Sequence, residues 1–197
     1  MPMQEIDLGG EKSFIGAWMH PDPDVCEELI RYFRMRGDKV EGQIGHDRTV
    51  VKAVKESVDV IVTPNQFNHP PVVRYFMGLR EVANRYCEKY QAAGIVNPWA
   101  VTESFNLQYY PPGGGYKEWH TERTGKQAPS CNRHLVFMTY LNDVNVEGGT
   151  EFFYQRLRTR ARRGLTLIWP VDWTHLHRGV VAPSEEKYIA TGWFNFL

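Results

Sequence analysis

The stretch YKEWHTE, residues 116–122, decides how the C-terminal half of the chain is interpreted. It predicts extended backbone, and in a strand the side chains of residues i and i+2 point to the same side. His120 and Glu122 can therefore bind one ion together. His177 lies 55 residues beyond Glu122, and Lys187 lies ten residues beyond His177. Two imidazoles and one carboxylate suit ferrous iron when they occupy one face of the metal and leave the other positions open.

A second histidine, His175, competes with His177 for the third ligand position. Both would lie on the same side of an extended strand, so alternation does not separate them. The ten-residue spacing to Lys187 and the Arg178-Gly179 pair that follows favour His177. His175 then remains as a hydrogen-bond donor near the metal, a substrate contact or a packed side chain.

Five landmarks recur in order from about Phe105 to Phe196 and cover about half the chain. They are YPPGGGY (110–116), RHLVFMTYLND (133–143), GGTEF (148–152), HRG (177–179) and KYIATGW (187–193). Together they resemble the core of the Fe(II)- and 2-oxoglutarate-dependent dioxygenases, and within them the prolyl 4-hydroxylase-like branch. The last two landmarks resemble the second metal histidine, the 2-oxoglutarate lysine and the final strand of the family.

The resemblance implies Fe(II), 2-oxoglutarate and O2, with L-ascorbate as a candidate addition. Lys187 would bind the distal carboxylate of 2-oxoglutarate, and Thr191, on the same strand face, can add a hydroxyl contact. Tyr110 resembles the family tyrosine whose hydroxyl touches the cosubstrate. Tyr140 can take that part from the next strand, and ordinary core packing is the alternative for both tyrosines.

Glu122 departs from the family, which usually has aspartate at this position. Glutamate keeps the charge and the oxygen donors but is one methylene longer, so Glu122 is predicted to be a working metal ligand. An alanine or glycine there would have opened a position for halide. The carboxylate argues against a halogenase.

The implied reaction hydroxylates an unactivated C–H bond while 2-oxoglutarate is converted to succinate and CO2. No catalytic residue is assigned beyond the metal ligands. The resemblance implies peptidyl proline as the substrate, in a proline-rich or collagen-like chain. A hydroxylase of a free amino acid or other small molecule is the nearest alternative, and a non-enzymatic metal-binding β-sandwich is the alternative of another class. Lys187 counts against the last, because a structural zinc site needs no cosubstrate anchor.

The substrate region is predicted only in outline. Trp119 and Trp173 flank the two ligand segments and can form walls of a substrate groove or pack in the core. Substrate loops vary most in a fold, and here they are expected near Ile44 to Lys55 and Arg123 to Asn132. Arginines alternate with smaller residues from Arg156 to Arg162, which predicts a strand with a cationic outer face. A solvated edge protected by charge is favoured over an acidic partner.

Length and charge narrow the class of protein. The chain has 197 residues, the size of one domain, with Lys+Arg and Asp+Glu both 23 and a formal net charge of zero. This balance does not favour nucleic acid or an anionic membrane, and no apolar stretch is long enough to span a bilayer. The odd, scattered set Cys26, Cys87 and Cys131 and the lack of an evident signal peptide predict a reduced protein in the cytoplasm.

We expect one domain over residues 1–197, with residues 1–99 as a helical and strand support and residues 100–197 as the catalytic β core. Helices are predicted from Asp22 or Asp24, as the N-cap, to about Met35, and from about Pro71 to Ala92, ending at Gly94. Val50 to Val62 predicts one or two strands. The expected fold is mainly β, a double-stranded β-helix or jelly roll with the N-terminal helices packed on one sheet.

Overall fold

A computed structural model describes residues 3, 5–8, 13–45, 47, 49–125 and 127–197. Its helices are α1 (Val25–Met35), α2 (Pro70–Lys89) and α3 (Gln91–Ile95), with short 3-10 turns at Pro64–Gln66, Ser130–Asn132 and Trp173–His175. Its strands are β1 (Gly16–Met19), β2 (Val40–Glu41), β3 (Lys55–Glu56), β4 (Val58–Val62), β5 (Trp99–Ala100), β6 (Phe105–Tyr110), β7 (Gly115–Tyr116), β8 (Arg133–Tyr140), β9 (Thr150–Phe152), β10 (Leu157–Arg158), β11 (Leu165–Pro170), β12 (His177–Gly179) and β13 (Lys187–Phe196).

Two antiparallel sheets form the body of the described chain. The large sheet has the order β1-β11-β8-β13-β6-β4-β2, with β5 paired to β13. The small sheet has the order β10-β9-β12, and an isolated bridge between His120 and His177 extends it by one segment. A two-stranded ribbon of β3 and β7 lies at its side. Two sheets facing each other across an apolar layer make a jelly roll, which confirms the predicted fold class.

Each face of the large sheet packs into its own apolar cluster. Residues of one parity, such as Val136, Met138 and Ile189, face the small sheet and pack with Phe152 and Leu157. Residues of the other parity meet the helices, where the cluster includes Leu29 and Phe33 of α1, Leu79 and Val82 of α2, and Phe137, Ile168 and Ala190 of the sheet. The helices therefore pack on one sheet, as predicted, and leave the space between the sheets for a site.

The helix boundaries differ from the predicted ones in two respects. Asp24 occupies the N-cap position of α1, but its side chain makes no capping hydrogen bond and instead forms an ion pair with Arg163. The predicted second helix is broken at Tyr90, whose φ of −118° and ψ of 72° leave the helical region. Gly94 therefore lies inside α3 and does not end the helix. No helix in the described ranges is long and apolar enough to cross a membrane.

Candidate metal and cosubstrate site

Alternation along the small sheet decides which side chains face the interior. His177 on β12 lies opposite Phe152 on β9, and both are buried between the sheets. The next pair, Arg178 and Glu151, points to the outer face, where the two side chains form an ion pair at 2.9 Å. The backbones of His120 and His177 exchange two hydrogen bonds of 2.9 and 3.0 Å. This pairing puts both imidazoles on the inner side, with ring centroids 4.3 Å apart.

His120, Glu122 and His177 converge on one point. Their donor atoms all lie within 4.8 Å of one another. Glu122 Oε1 lies 3.6 Å from Nε2 of His120 and 3.3 Å from Nε2 of His177. Glu122 follows the bridge at a bend instead of continuing a strand, so the predicted extended geometry holds at His120 but not through the whole stretch.

The two histidines are held in the tautomer that a metal needs. Nδ1 of His120 lies 3.0 Å from the carbonyl oxygen of Glu118, and Nδ1 of His177 lies 2.9 Å from the carbonyl oxygen of His175. A carbonyl oxygen only accepts, so each Nδ1 must carry the proton and each Nε2 keeps its lone pair. Burial, with the neighbouring charge of His120, lowers the pKa of His177, which also favours the neutral ligand form. The donor set therefore fits Fe(II).

Glu122 lies in a group of fixed polar partners. Burial opposes its ionisation, but the interactions with the imidazoles of His120 and His177 outweigh this effect and hold the pKa of Glu122 well below its usual range. Its second oxygen, Oε2, accepts a hydrogen bond of 3.1 Å from the indole nitrogen of Trp193. The guanidinium of Arg133 lies 3.9 Å from the same oxygen and donates to the backbone oxygen of Glu122 at 2.8 Å.

The three residues line a cavity of about 430 Å³ that also contains Lys187. Lys187 is 3% exposed, and its ammonium donates to the backbone oxygens of Gly148 at 3.0 Å and Val180 at 3.4 Å. Among the described residues it forms no ion pair with a carboxylate. Burial lowers the pKa of Lys187 to about 8. Gly148 has a φ of +72°, a conformation that favours glycine, and this turn aims its carbonyl at the ammonium.

The prediction that Lys187 and Thr191 lie on the same face of their strand, β13, is confirmed. Lys187, Ile189, Thr191 and Trp193 all line the cavity. Thr191 donates its hydroxyl to the backbone oxygen of Phe137 at 3.2 Å, so its hydroxyl hydrogen already has an acceptor.

Tyr110 and Tyr140 are buried in the cavity wall, and both hydroxyls already have partners. Tyr110 donates to Oε1 of Gln108 at 2.7 Å, and the Lys187 ammonium lies 4.9 Å from the Tyr110 ring centre. The Tyr140 hydroxyl lies 2.7 Å from the hydroxyls of both Thr150 and Thr159. Burial raises the pKa of Tyr140 to about 12, so it remains a neutral phenol.

The predicted groove walls, Trp119 and Trp173, are not part of the cavity lining. Trp119 stacks under the Arg178 guanidinium, 4.4 Å from its ring centre, and meets Phe153 edge to face. Trp173 is 68% exposed and touches Tyr154. Trp119 directly precedes His120 in an extended segment and points to the opposite side, and Trp173 lies in the 3-10 turn, so neither side chain lines this cavity. Their part in a substrate groove stays a prediction. They form part of an outer aromatic surface with Phe153 and Tyr154.

His175 belongs to a 3-10 turn, not to a strand, so the assumed shared parity with His177 was wrong. Its side chain points away from the cavity and binds the backbone oxygen of Ser13 at 2.9 Å. Only its carbonyl serves the site, through Nδ1 of His177. His177 is therefore the histidine that joins His120 and Glu122.

Both predicted substrate loops contribute to the cavity lining. Ile44, Gly45 and Lys55 line it from one loop, and Thr124, Pro129 and Ser130 from the other. Residues 46, 48 and 126 of these loops lie outside the described residues. The basic segment also follows its prediction, because the exposed Arg156, Arg158, Arg160 and Arg162 alternate with the buried Leu157, Thr159 and Ala161. Its regular strand, however, extends only over β10.

Several residues of the site escaped the sequence analysis. Glu103 holds the Arg133 guanidinium through two hydrogen bonds of 2.8 and 2.9 Å. Lys55 and Asp59 form a buried ion pair at 2.6 Å, and Gln108 donates to the same aspartate. Glu103 and Arg133 are 30 residues apart and Asp59 and Gln108 are 49 apart, so no local pattern marks these contacts. The parity of β13, which places Trp193 on the same face as Lys187, was the available signal for Trp193.

Comparison with known proteins agrees with this geometry. The profile of the 2OG-Fe(II) oxygenase superfamily matches residues 105–195. Human prolyl 4-hydroxylase subunit alpha-3 is 29% identical over 105 residues, which are 47% of this chain and 19% of that protein. The chain thus spans about a fifth of the length of the curated relative it matches.

Solved structures share the fold across nearly the whole chain. The viral collagen prolyl hydroxylase of Paramecium bursaria Chlorella virus-1, in complex with 2-oxoglutarate, superposes with a TM-score of 0.67 at 17% identity, over 100% of this chain and 97% of that one. A prolyl hydroxylase from Trichoplax adhaerens, in complex with a hypoxia inducible factor peptide, gives 0.72 at 12% identity, over 94% and 84% of the two chains. Residues 105–195 thus match the profile of the 2OG-Fe(II) oxygenase superfamily, and the chain shares the jelly-roll fold of the solved prolyl hydroxylases.

Proposed function

We propose that this protein is an Fe(II)- and 2-oxoglutarate-dependent dioxygenase that hydroxylates proline within a peptide. The observation that carries the proposal is the buried ammonium of Lys187, which has no carboxylate partner among the described residues and lines the same cavity as His120, Glu122 and His177. A buried cation without a counter-ion is costly unless a ligand supplies the charge. A dicarboxylate cosubstrate would supply it.

Each residue of the cavity has a distinct part in this proposal. Nε2 of His120, Nε2 of His177 and Oε1 of Glu122 would hold Fe(II) on one face and leave the other face open. Bound there, iron would supply the activation of O2 that couples oxidation of 2-oxoglutarate to hydroxylation of a C–H bond. Lys187 would bind the distal carboxylate. No side chain is needed as a general base.

The two tyrosines support the cosubstrate pocket without donating to it. The Tyr110 hydroxyl donates its hydrogen bond to Gln108. The Tyr110 ring, whose centre lies 4.9 Å from the ammonium, would stabilise the charge of Lys187. Tyr140 is held by Thr150 and Thr159 and would close the wall. Thr191 would shape the pocket with its oxygen. This differs from a direct tyrosine contact to 2-oxoglutarate, which the resemblance implied.

The similarity to prolyl hydroxylases, one of them solved with a peptide, supports a peptide substrate. Residues 43–45 and 129–130, which are uncharged, contribute to the cavity lining. A proline-rich or collagen-like chain would suit this site, because extended polyproline segments bind with little loss of entropy. The same site argues against a non-enzymatic metal module, which would have no use for Lys187.

The proposal also includes a reductant and a cellular compartment. We expect L-ascorbate to sustain turnover by keeping the iron reduced. We also propose a reducing, cytoplasm-like compartment, because Cys26, Cys87 and Cys131 are all free thiols in the structure.

The test is succinate formation with Fe(II), ascorbate and 2-oxoglutarate, followed by mass spectrometry of a peptide panel. Proline-rich peptides, collagen-like peptides and free L-proline are compared, with Lys187→Ala as the matched variant that should bind 2-oxoglutarate more weakly. We expect succinate and a gain of one oxygen on proline in a peptide. Oxidation of free proline alone would replace the peptide proposal by the small-molecule one. Absence of 2-oxoglutarate binding and of succinate with every substrate would overturn the dioxygenase proposal.

A further inference from the structure

Because the side chain of Glu122 is one methylene longer than that of aspartate, the number of its oxygens that bind the metal has to be controlled. A carboxylate can bind a metal through one oxygen or through both. Binding through both would use a position that a two-point cosubstrate or O2 needs. Glutamate also has one more rotatable bond than aspartate and therefore more freedom to turn. Something must hold the oxygen that should stay away from the metal.

The two oxygens of Glu122 have different surroundings. Oε1 faces the imidazoles, 3.3 Å from His177 Nε2 and 3.6 Å from His120 Nε2. Oε2 points the other way and accepts a hydrogen bond of 3.1 Å from the Trp193 indole nitrogen. The positive guanidinium of Arg133 lies 3.9 Å from Oε2. The carboxylate is thus oriented with one oxygen toward the metal position and one toward its holders.

Arg133 and Trp193, which contact Oε2 of Glu122, are themselves held in place by further contacts. Arg133 makes a two-point ion pair with Glu103, its guanidinium stacks 3.4 Å from the centre of the Trp193 ring, and it donates to the backbone oxygen of Glu122 at 2.8 Å. Asn195 donates to Glu103 at 3.1 Å. Trp193 and Asn195 are two residues apart on β13, so one strand face carries both. A planar guanidinium with every edge engaged cannot follow the carboxylate if it turns.

We propose that Trp193, backed by the Glu103–Arg133 pair, is a positioning residue that restricts Glu122 to metal binding through Oε1. The proposal rests on the proposed function, since it assumes that iron binds between the two histidines. It explains how this chain uses glutamate where its family usually has aspartate. We call Trp193, Arg133 and Glu103 the clamp. By holding Oε2, the clamp compensates for the extra methylene of Glu122.

The experiment measures Fe(II) affinity by anaerobic calorimetry, without turnover. Trp193→Phe keeps a ring under Arg133 but removes the N–H donor. Loss of a group that orients a metal ligand typically weakens metal binding about tenfold to a hundredfold, and we expect an effect in that range. Trp99→Phe is the matched control, because Trp99 donates its indole N–H to the Ala93 backbone at 2.8 Å and does not line the cavity. Its Fe(II) affinity should equal that of the unmodified protein.

A second background separates a clamp from a general loss of structure. In Glu122→Asp the shorter carboxylate cannot reach both the metal and Trp193, so adding Trp193→Phe should change Fe(II) affinity by less than about twofold. Independent effects would instead multiply. Unchanged affinity in Trp193→Phe, or equal losses in both backgrounds, would overturn the clamp while leaving iron binding by the unmodified protein intact. No Fe(II) binding by the unmodified protein would overturn the proposed function itself.

Discussion

The two ends of the cavity are built in opposite ways. At the metal end, the charges are matched by side chains: Glu122 faces two imidazoles, and Arg133 is paired with Glu103. At the other end, Lys187 has only backbone oxygens as partners. The first end is organised before any ligand arrives. The second keeps a buried charge that only a ligand of opposite sign can match.

This difference has a physical consequence. A group with fixed partners loses little freedom when its ligand binds, so the metal end is preorganised. A buried ammonium without a counter-ion costs stability, which is why perturbed groups in cavities mark functional sites. The downward shift in the pKa of Lys187, caused by burial, expresses that cost. Variants at the metal end should therefore lose Fe(II) binding, whereas variants at the Lys187 end should lose affinity for 2-oxoglutarate.

The largest effect is expected at the metal end. His120→Ala or His177→Ala should abolish Fe(II) binding and succinate formation, because the metal would keep only two protein ligands. His175→Ala is the matched control and should retain the metal, since its imidazole binds the Ser13 backbone and only its carbonyl serves the site. Anaerobic Fe(II) titration measures both. Loss of iron in His175→Ala with retention in His177→Ala would reverse the assignment of the third ligand.

The next effect separates the two ends. Lys187→Ala should raise the dissociation constant of 2-oxoglutarate roughly tenfold to a hundredfold, because a hydrogen bond between charged groups contributes about 1.5–3 kcal/mol. Its Fe(II) affinity should stay within about twofold, as the metal end is untouched.

The control for this variant is Lys52→Ala, which removes an exposed lysine that pairs with Glu41. Titration of 2-oxoglutarate into each Fe(II)-loaded variant gives the answer. If Lys187→Ala and the control bound 2-oxoglutarate equally well, another group would have to anchor the carboxylate.

A smaller effect follows from the pKa of Lys187, which burial lowers from 10.5 to about 8. Above pH 8 the free folded protein loses this charge, so 2-oxoglutarate affinity should fall by up to about tenfold per pH unit. Between pH 8 and 10.5 the unfolded chain binds more protons at this residue than the folded one. The contribution of Lys187 to the free energy of unfolding therefore rises with pH in that window.

Both pH trends are measured as differences between the unmodified protein and Lys187→Ala, which removes other titrating groups from the comparison. Calorimetry at several pH values follows 2-oxoglutarate, and urea unfolding follows stability. Equal pH dependence in the two proteins would show that Lys187 does not titrate in this range.

The sequence predicted the inner parts of the site better than its surroundings. Alternation indicated that His120 and Glu122 could bind one ion together. The family resemblance supplied His177, Lys187 and the jelly roll, through landmarks that recur in order along residues 105–196. Each landmark is a short stretch of sequence, so it can be recognised without knowledge of the tertiary contacts.

The features that the sequence did not predict depend on contacts between distant segments. Glu103 meets Arg133 across 30 residues, and Trp193 meets Glu122 across 71. The parity argument failed for His175 because a 3-10 turn replaced the assumed strand. It was not applied to Trp119, whose position next to His120 in an extended segment already directs it to the opposite face. Tertiary contacts therefore decided the positions of Glu103 and Trp193, whereas local alternation was sufficient to place Trp119.

The smallest effect is expected outside both ends of the cavity. Trp173 is 68% exposed and contacts Tyr154 on the outer aromatic surface. Trp173→Ala should therefore change Fe(II) and 2-oxoglutarate affinity and the Michaelis constant for a proline-rich peptide by less than about twofold. Exposed substitutions of this kind usually alter stability by less than about 0.5 kcal/mol. Steady-state kinetics with the best peptide of the panel is the measurement. A large rise in the Michaelis constant for peptide alone, with cosubstrate binding unchanged, would show that the peptide also crosses the outer surface and would restore Trp173 as a substrate contact.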